Sequence, residues 1–173
     1  KDRRIVPIHT QFARPDQLAA FKKYNMVPSF FTNHAYFWGD VHIKNLGEKR
    51  ANSLSPLATV DKMGIPYTNH SDDTVTPVDP LFSVWTAVNR TSRTGQVIGA
   101  DERITPYQAL KAITSNAAYQ YFEEDTKGTL APGKLADLVI LDNNPLTIKP
   151  ADIRNIKVVK TIKEGNTIYQ RPV

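Results

Sequence analysis

The chain contains no cysteine among its 173 residues. This absence excludes a disulfide scaffold, a zinc ribbon and a cysteine nucleophile, so any bound metal must be held by His, Asp, Glu or Lys. Long apolar runs are missing as well. The richest run, residues 135–141, is interrupted by Asp137 and is much shorter than the roughly 18 residues that a membrane helix needs. We therefore expect no membrane partner and a cytoplasmic location, with the periplasm left open.

Charge of one sign is not concentrated anywhere along the sequence. Lysine and arginine number 22 against 17 aspartate and glutamate residues, which gives a net charge of +5 and a pI near 9.4. Because the basic residues are scattered among acidic ones, we expect no nucleic-acid partner. The length suits one domain or part of a larger one.

Three apolar runs are each followed by polar residues and then by a helical pattern. The runs cover residues 4–8, 26–31 and 65–68. Alternation of strands and helices is typical of a parallel α/β sheet whose strands are buried on both faces. The distances along the chain between strand ends bracket the roughly 31 residues per unit of an eight-unit TIM barrel, which favours a barrel over an open sheet.

The last third of the chain has a different pattern. Residues 128–142, 156–161 and 167–169 are closely spaced apolar runs joined by turn signals, which predicts antiparallel strands. We therefore expect residues 1–122 to form barrel units and residues 123–173 to form strands outside the barrel.

Ionisable side chains lie where the apolar runs end. His9 closes the first run, His34 follows the second, and His70 and Asp72 follow the third. The ends of parallel strands meet at one edge of a sheet, and imidazole together with carboxylate suits Zn²⁺ and similar ions. The sequence therefore predicts a metal or hydrolytic site at this edge. Asp73 competes with Asp72 for the catalytic position, and spacing alone does not separate them.

His42 lies in an aromatic segment, residues 36–42, which we interpret as a loop. Loop packing or a substrate-facing position fits His42 as well as metal ligation does. No Ser/His/Asp signature is readable. The segment from Gly128 to Gly133 is not a phosphate loop, because it lacks a Gly-Lys-Ser/Thr ending and precedes a strand.

Several segments resemble one family. Residues 128–142, GTLAPGKLADLVILD, resemble the strand pair that leads from the barrel into the small β-sandwich of the amidohydrolase superfamily. Residues 4–9, 28–40 and 70–81 make the chain similar to the YtcJ-like branch, which includes N-substituted formamide deformylases. The resemblance covers essentially the whole chain. It implies a fold of C-terminal βα units of a metal-dependent hydrolase TIM barrel plus β-sandwich strands.

The resemblance also implies a metal site. In this family the barrel binds one or two divalent metals, usually zinc, through residues on strands one, four, five, six and eight. By order along the chain, His9 would be a metal ligand and Asp72 both a ligand and the catalytic general base. His34 and His70 carry over as substrate-binding residues. The ligands of strands one, four and five are absent from these residues, so we expect the remainder of the same polypeptide to supply them. The fragment alone is expected to be inactive.

The function implied is that of an amidohydrolase acting on a carbon–nitrogen bond other than a peptide bond. It would cleave an amide or formamide-like group of a small-molecule substrate with metal-activated water. The alternative is a non-catalytic regulatory or binding protein that retains the amidohydrolase fold, because fold alone does not determine chemistry. The substrate, the number of metals and the formation of a homo-oligomer are left open.

Overall fold

The computed structural model describes residues 1–172. The strands are β1 (Ile8–His9), β2 (Ser29–Phe30), β3 (Thr68–Asn69), β4 (Leu138–Leu141), β5 (Val158–Lys163) and β6 (Asn166–Gln170). The helices are α1 (Pro15–Lys23), α2 (Asn33–Leu46), α3 (Glu48–Ala51), α4 (Leu57–Lys62), α5 (Pro80–Asn89), α6 (Pro106–Ile113) and α7 (Ser115–Gln120). Two short 3-10 helices cover Ala100–Glu102 and Pro150–Asn155. Within the described residues, no helix is both long and apolar enough to cross a membrane.

The first three strands form one parallel sheet in the order β1-β2-β3. Ile8 pairs with Ser29, and Ser29 pairs with Thr68. The paired segments are short because Pro7 and Pro28 accept bonds from the Ser29 and Thr68 amides but have no N–H to donate. The predicted α/β fold is confirmed, whereas closure of an eight-stranded barrel stays a prediction.

The hydrophobic core lies where helices cover this sheet. Phe30 of β2 is fully buried, and Trp85 of α5 is 5% exposed. Ile153 and Ile156, from the last third of the chain, are buried in the same core. The Trp85 indole also donates a 2.9 Å hydrogen bond from Nε1 to the carbonyl oxygen of Ala151. Part of the last third therefore packs directly on α5.

The aromatic segment 36–42 belongs to helix α2, so its interpretation as a loop is wrong. Gly39 does not break the helix; it permits a close approach instead. A Cβ atom at Gly39 would lie 2.6 Å from Cγ1 of Ile98. The carboxylate of Asp40, one residue further, accepts a 2.7 Å hydrogen bond from the Ser92 hydroxyl. The helix is thus fixed against the loop that follows α5.

Strands β4, β5 and β6 form the second sheet, which is antiparallel. The predicted pairing is correct, but only Leu138–Leu141 of the expected run 128–142 is a strand. Gly128 and Gly133 have φ values of +88° and +87°, a left-handed backbone that turns the chain before β4. A β-sandwich consists of two packed sheets, and the described residues form one antiparallel sheet in this part of the chain. The β-sandwich and the domain boundary after residue 122 therefore stay predictions.

A fully buried arginine joins α5 to two neighbouring loops. Nε of Arg90 donates to the carbonyl oxygen of Ile98 at 2.8 Å, and its other guanidinium nitrogens donate to the carbonyl oxygens of Ser55 and Leu54. Burial lowers the pKa of Arg90 to about 10, so the side chain remains charged at neutral pH. The Ser55 amide in turn donates to the carbonyl oxygen of Gln11 at 2.7 Å. Arg90 therefore supports the segment that follows β1.

We expect Arg90→Lys to lower the free energy of unfolding by about 2 kcal/mol or more. An ammonium group cannot reproduce the guanidinium fork, so buried carbonyl oxygens lose their donors. Chemical denaturation measures the change. Arg50→Lys, at an exposed position, is the control and should change stability by less than about 0.5 kcal/mol. Equal effects of the two substitutions would contradict this role.

The 173-residue chain by itself should aggregate or melt without a cooperative transition. β1 is an open sheet edge with Ile8 62% exposed, and Val139, Ile140 and Ile168 leave apolar surface uncovered on the second sheet. Such edges and patches pair with other chains. Size-exclusion chromatography and calorimetry test this expectation. A monomer that melts cooperatively with a stoichiometric metal ion would overturn it.

Candidate metal centre

The carboxyl ends of the three parallel strands bring the predicted side chains to one edge of the sheet. β1 ends at His9, and the chain beyond β3 continues into His70 and Asp72. The register of the sheet is continuous, since the His70 amide donates to the carbonyl oxygen of Phe30 at 2.9 Å. The residues therefore meet because the strands run in the same direction.

His9, His70 and Asp72 form a compact cluster. One ligand atom from each lies within 4.8 Å of those from the other two. Nε2 of His9 lies 3.3 Å from Oδ2 of Asp72, and the imidazoles of His9 and His70 stack with ring centroids 5.2 Å apart. All three side chains are partly buried. The cluster is accessible to a small ligand yet shielded on one side.

The backbone at two of these positions is left-handed. His9 has φ 63° and Asp72 has φ 54°; Thr10, which follows His9 and is outside the cluster, has φ 45°. Residues with a side chain are uncommon in this region, and in folded proteins they concentrate at functional sites. The surrounding fold therefore holds His9 and Asp72 in conformations that their own preferences do not favour.

Asp73, the rival of Asp72, is exposed. Asp72 instead directs its carboxylate toward His9. The structure thus places the carboxylate of Asp72 beside His9, whereas Asp73 is exposed; the catalytic role of Asp72 stays a prediction.

His34 lies beside the cluster, in the first turn of α2. Its ring meets that of His9 edge to face at 5.6 Å and that of Phe31 at 4.3 Å. Burial, followed by the neighbouring His9 and His42, lowers the pKa of His34 to about 4. The imidazole is therefore neutral at neutral pH. Its Nδ1 atom is buried without a hydrogen-bond partner among the described residues.

His70 shares this unusual environment. Burial, followed by the nearby His9, lowers the pKa of His70. Its Nε2 atom is buried and has no hydrogen-bond partner in residues 1–172. A neutral imidazole with a free nitrogen lone pair is the form that ligates metal ions. The family resemblance implied a substrate-binding role for His70, whereas the geometry groups it with the two predicted ligands, His9 and Asp72.

His42 lies outside the cluster. Its Nε2 atom is 2.9 Å from Nε2 of Gln11, and its ring packs edge to face on Phe12 at 5.3 Å. Burial lowers its pKa. His42 is connected to the site through His34, whose ring centroid lies 6.3 Å from that of His42. Of the three roles left open for His42, packing is the one these contacts favour.

A buried polar network lies beneath the strand ends, and the sequence analysis missed it. The Thr32 and Thr86 hydroxyls are 2.7 Å apart, and Nδ2 of Asn69 donates to Oγ1 of Thr32 at 2.8 Å and to the carbonyl oxygen of Ser83 at 3.1 Å. All four residues are less than 10% exposed. The available signal was the placement of Thr32 and Asn69 at the ends of apolar runs, where a wholly hydrophobic core would carry apolar side chains.

The donor set of the cluster suits a divalent cation. Two imidazole nitrogens and a carboxylate oxygen are the ligands of many catalytic zinc sites, which leave one position for water. Zinc bonds of roughly 2.0–2.2 Å at tetrahedral angles place ligand atoms about 3.4 Å apart. The 3.3 Å separation of His9 Nε2 and Asp72 Oδ2 matches that spacing. Nε2 of His70 is a further possible ligand atom, because it has no hydrogen-bond partner among the described residues.

A model of the amidohydrolase family matches residues 1–169, so the chain belongs to this family. The putative amidohydrolase YtcJ of Bacillus subtilis (strain 168) is 30% identical over 132 residues, 75% of this chain and 25% of that protein. An N-substituted formamide deformylase of Arthrobacter pascens is 29% identical over 138 residues, 79% of this chain and 26% of that protein. The predicted resemblance to the YtcJ-like branch is confirmed.

Solved structures agree with the fold. An uncharacterized metal-dependent hydrolase of Pyrococcus furiosus is 29% identical with a TM-score of 0.69, and the match covers 82% of this chain and 29% of that chain. The present chain spans about a quarter of the length of the two curated relatives. What those proteins do as a whole bears on this chain only through the proposal below.

We expect His70→Gln to lower the affinity for Zn²⁺ by about tenfold or more, because the cluster loses one of three nitrogen and oxygen donors. Zinc content after equilibrium dialysis of the full polypeptide measures the loss. His42→Gln changes a histidine outside the cluster and should leave the affinity unchanged. A loss of zinc on His42→Gln with none on His70→Gln would show that the wrong histidine has been placed in the centre.

Proposed function

We propose that the polypeptide containing this chain is a metal-dependent hydrolase that cleaves a C–N bond of an amide or formamide-like small molecule. The observation that carries the proposal is the cluster of His9, His70 and Asp72 at the carboxyl ends of parallel strands. Membership of the amidohydrolase family supports hydrolysis in general. The relative named as an N-substituted formamide deformylase supports the finer choice of bond.

His9, His70 and Asp72 would hold a divalent cation, with zinc the ion that best suits two imidazoles and a carboxylate. When bound, the cation supplies Lewis acidity, which lowers the pKa of a water molecule and polarises the carbonyl group of the substrate. The number of ions, one or two, depends on further ligands. We propose that the remainder of the same polypeptide supplies these ligands, in keeping with the much greater length of the relatives.

Asp72 is the residue that would move the proton. One carboxylate oxygen faces His9, at 3.3 Å from its Nε2 atom. The side chain is 28% exposed, so the carboxylate is also accessible to solvent. It can therefore accept a proton from the attacking water and later deliver it to the nitrogen that leaves, as a general base and then a general acid.

His34 would orient the substrate. Because burial keeps its imidazole neutral, one ring nitrogen can donate a hydrogen bond while the other accepts one. Its buried Nδ1 atom has no partner among the described residues, so one hydrogen-bond position of the ring is unfilled. The neighbouring rings of Phe31 and Trp38, at 4.3 Å and 5.3 Å from His34, form an apolar wall beside it. His70 would contact the substrate only through its place at the proposed metal.

Asp72→Asn should lower turnover of an amide or formamide substrate by at least about a hundredfold, with a small change in melting temperature. The substitution preserves the volume of the side chain but removes the basic oxygen, and general acid–base catalysis contributes about 10²- to 10⁴-fold. Steady-state kinetics of the full polypeptide, together with calorimetry, measure both effects.

Asp73→Asn is the matched control, since Asp73 is exposed; its effect should be much milder. Near wild-type turnover by Asp72→Asn, or a more severe loss in Asp73→Asn, would refute the assignment. A well-folded full polypeptide that binds no divalent metal would instead favour the non-catalytic alternative.

A further inference from the structure

The loop that carries Asp72 is closed by its own backbone. The carbonyl oxygen of Asp72 accepts hydrogen bonds from the amides of Val75 at 2.7 Å and Thr76 at 3.3 Å. Asp72 itself has a left-handed backbone with φ 54°. A position with this backbone keeps its direction only when the rest of the loop is fixed. The orientation of Asp72 therefore depends on contacts that fix this loop to the core.

Thr76 is the residue that enters the core from this loop. It is only 2% exposed. Its hydroxyl donates to the carbonyl oxygen of Ser71, the residue immediately before Asp72. The hydroxyl oxygen of Thr76, Oγ1, in turn accepts a 3.0 Å hydrogen bond from Nδ2 of Asn33. One hydroxyl group therefore joins the start of the loop, its end and the first turn of α2.

Asn33 continues the connection into the core. Its side chain is fully buried, and its Oδ1 atom accepts a 3.0 Å hydrogen bond from the Thr86 hydroxyl of α5. Because the Thr76 proton goes to Ser71, the Thr76 oxygen can only accept from Asn33, which fixes the orientation of the amide. The hydrogen bonds thus run without a gap from Thr86 through Asn33 and Thr76 to the residue next to Asp72.

The burial of this connection makes it rigid. A buried polar group that loses its partner carries an uncompensated desolvation cost, so each member constrains the next. Thr86 belongs to α5, and the two residues before it in this helix, Val84 and Trp85, lie in the main core. The hydrogen bonds therefore connect the Asp72 loop to a helix, α5, whose side chains are part of the main core.

We propose that Thr76 is a positioning residue, which acts through Ser71 to hold the carboxylate of Asp72 against His9 and His70. This inference rests on the proposed function, because it concerns the same candidate metal centre. Among the described residues, the Thr76 hydroxyl bonds to Ser71 and Asn33 and to none of the three side chains of the cluster. The Thr76 side chain sets the distance between Asp72 and the two histidines.

The test compares Thr76→Val, Thr76→Ser and Thr68→Val in the full polypeptide. Valine keeps the shape of threonine but removes the hydroxyl, whereas serine keeps the hydroxyl and loses only a methyl group. Thr68 is the control: it is 4% exposed and also makes a partly buried side-chain hydrogen bond, at 2.7 Å to Oε1 of Gln120, outside the Asp72 loop. The probe is Co²⁺, whose visible spectrum reports ligand geometry, and the readouts are its dissociation constant and its spectrum.

We expect Thr76→Val to weaken Co²⁺ binding by about 10- to 100-fold and to change the spectrum, as loss of outer-shell support does at metal sites. Thr76→Ser should restore both, and Thr68→Val should leave both unchanged even if it melts earlier. Unchanged binding and spectrum in Thr76→Val would overturn the proposal. An equal loss in Thr68→Val would also overturn it, because the effect would then follow from general destabilisation.

A metal-free measurement separates this inference from the proposed function. In crystal structures without added metal, the distance between His9 Nε2 and Asp72 Oδ2, 3.3 Å here, should increase by about 1 Å or more in Thr76→Val and not in Thr76→Ser. If the unmodified protein binds no Co²⁺, the proposed function fails while this distance still decides the positioning role. An unchanged distance in Thr76→Val overturns the positioning role alone.

Discussion

Parallel pairing of β1, β2 and β3 is the constraint on which the site depends. Each strand contributes little by itself, since only two residues per strand are paired. Because the strands point the same way, however, their carboxyl ends deliver His9, His70 and Asp72 to one edge, although more than sixty positions separate the first from the last along the chain. An antiparallel β2 would instead have placed His34, which follows β2, at the opposite edge of the sheet from His9, His70 and Asp72.

The interior around this edge combines apolar packing with a hydrogen-bonded polar layer. Apolar side chains of β2 and α5 lie below the sheet. Between them, hydrogen bonds join the buried side chains of Asn69, Thr32, Thr86 and Asn33 to one another. Such a layer contributes modestly to stability but strongly restricts geometry. Burial also lowers the pKa of His34 and of His70, so both imidazoles are neutral at neutral pH. A neutral imidazole has one nitrogen without a proton, which can bind a metal ion or accept a hydrogen bond.

Much of this arrangement follows from sequence patterns that have a direct physical meaning. Buried parallel strands appear as uninterrupted apolar runs, and the residues after them, His9 and Asp72, are at the sheet edge for that reason. Other features depend on contacts that no local pattern encodes. The different orientations of Asp72 and Asp73 depend on how the loop turns. The glycine at position 39 of α2 allows the close approach of Ile98, a residue far away in the sequence. The role of Arg90 is equally invisible, since its partners are distant backbone carbonyls.

The central claim is that His9, His70 and Asp72 together hold a divalent metal ion. The most direct test is anomalous diffraction at the zinc absorption edge from crystals of the full polypeptide grown with Zn²⁺. The account predicts an anomalous peak about 2.0–2.2 Å from an imidazole nitrogen of His9, an imidazole nitrogen of His70 and a carboxylate oxygen of Asp72. A fully occupied zinc ion bound elsewhere, with these three side chains left uncoordinated, would contradict it.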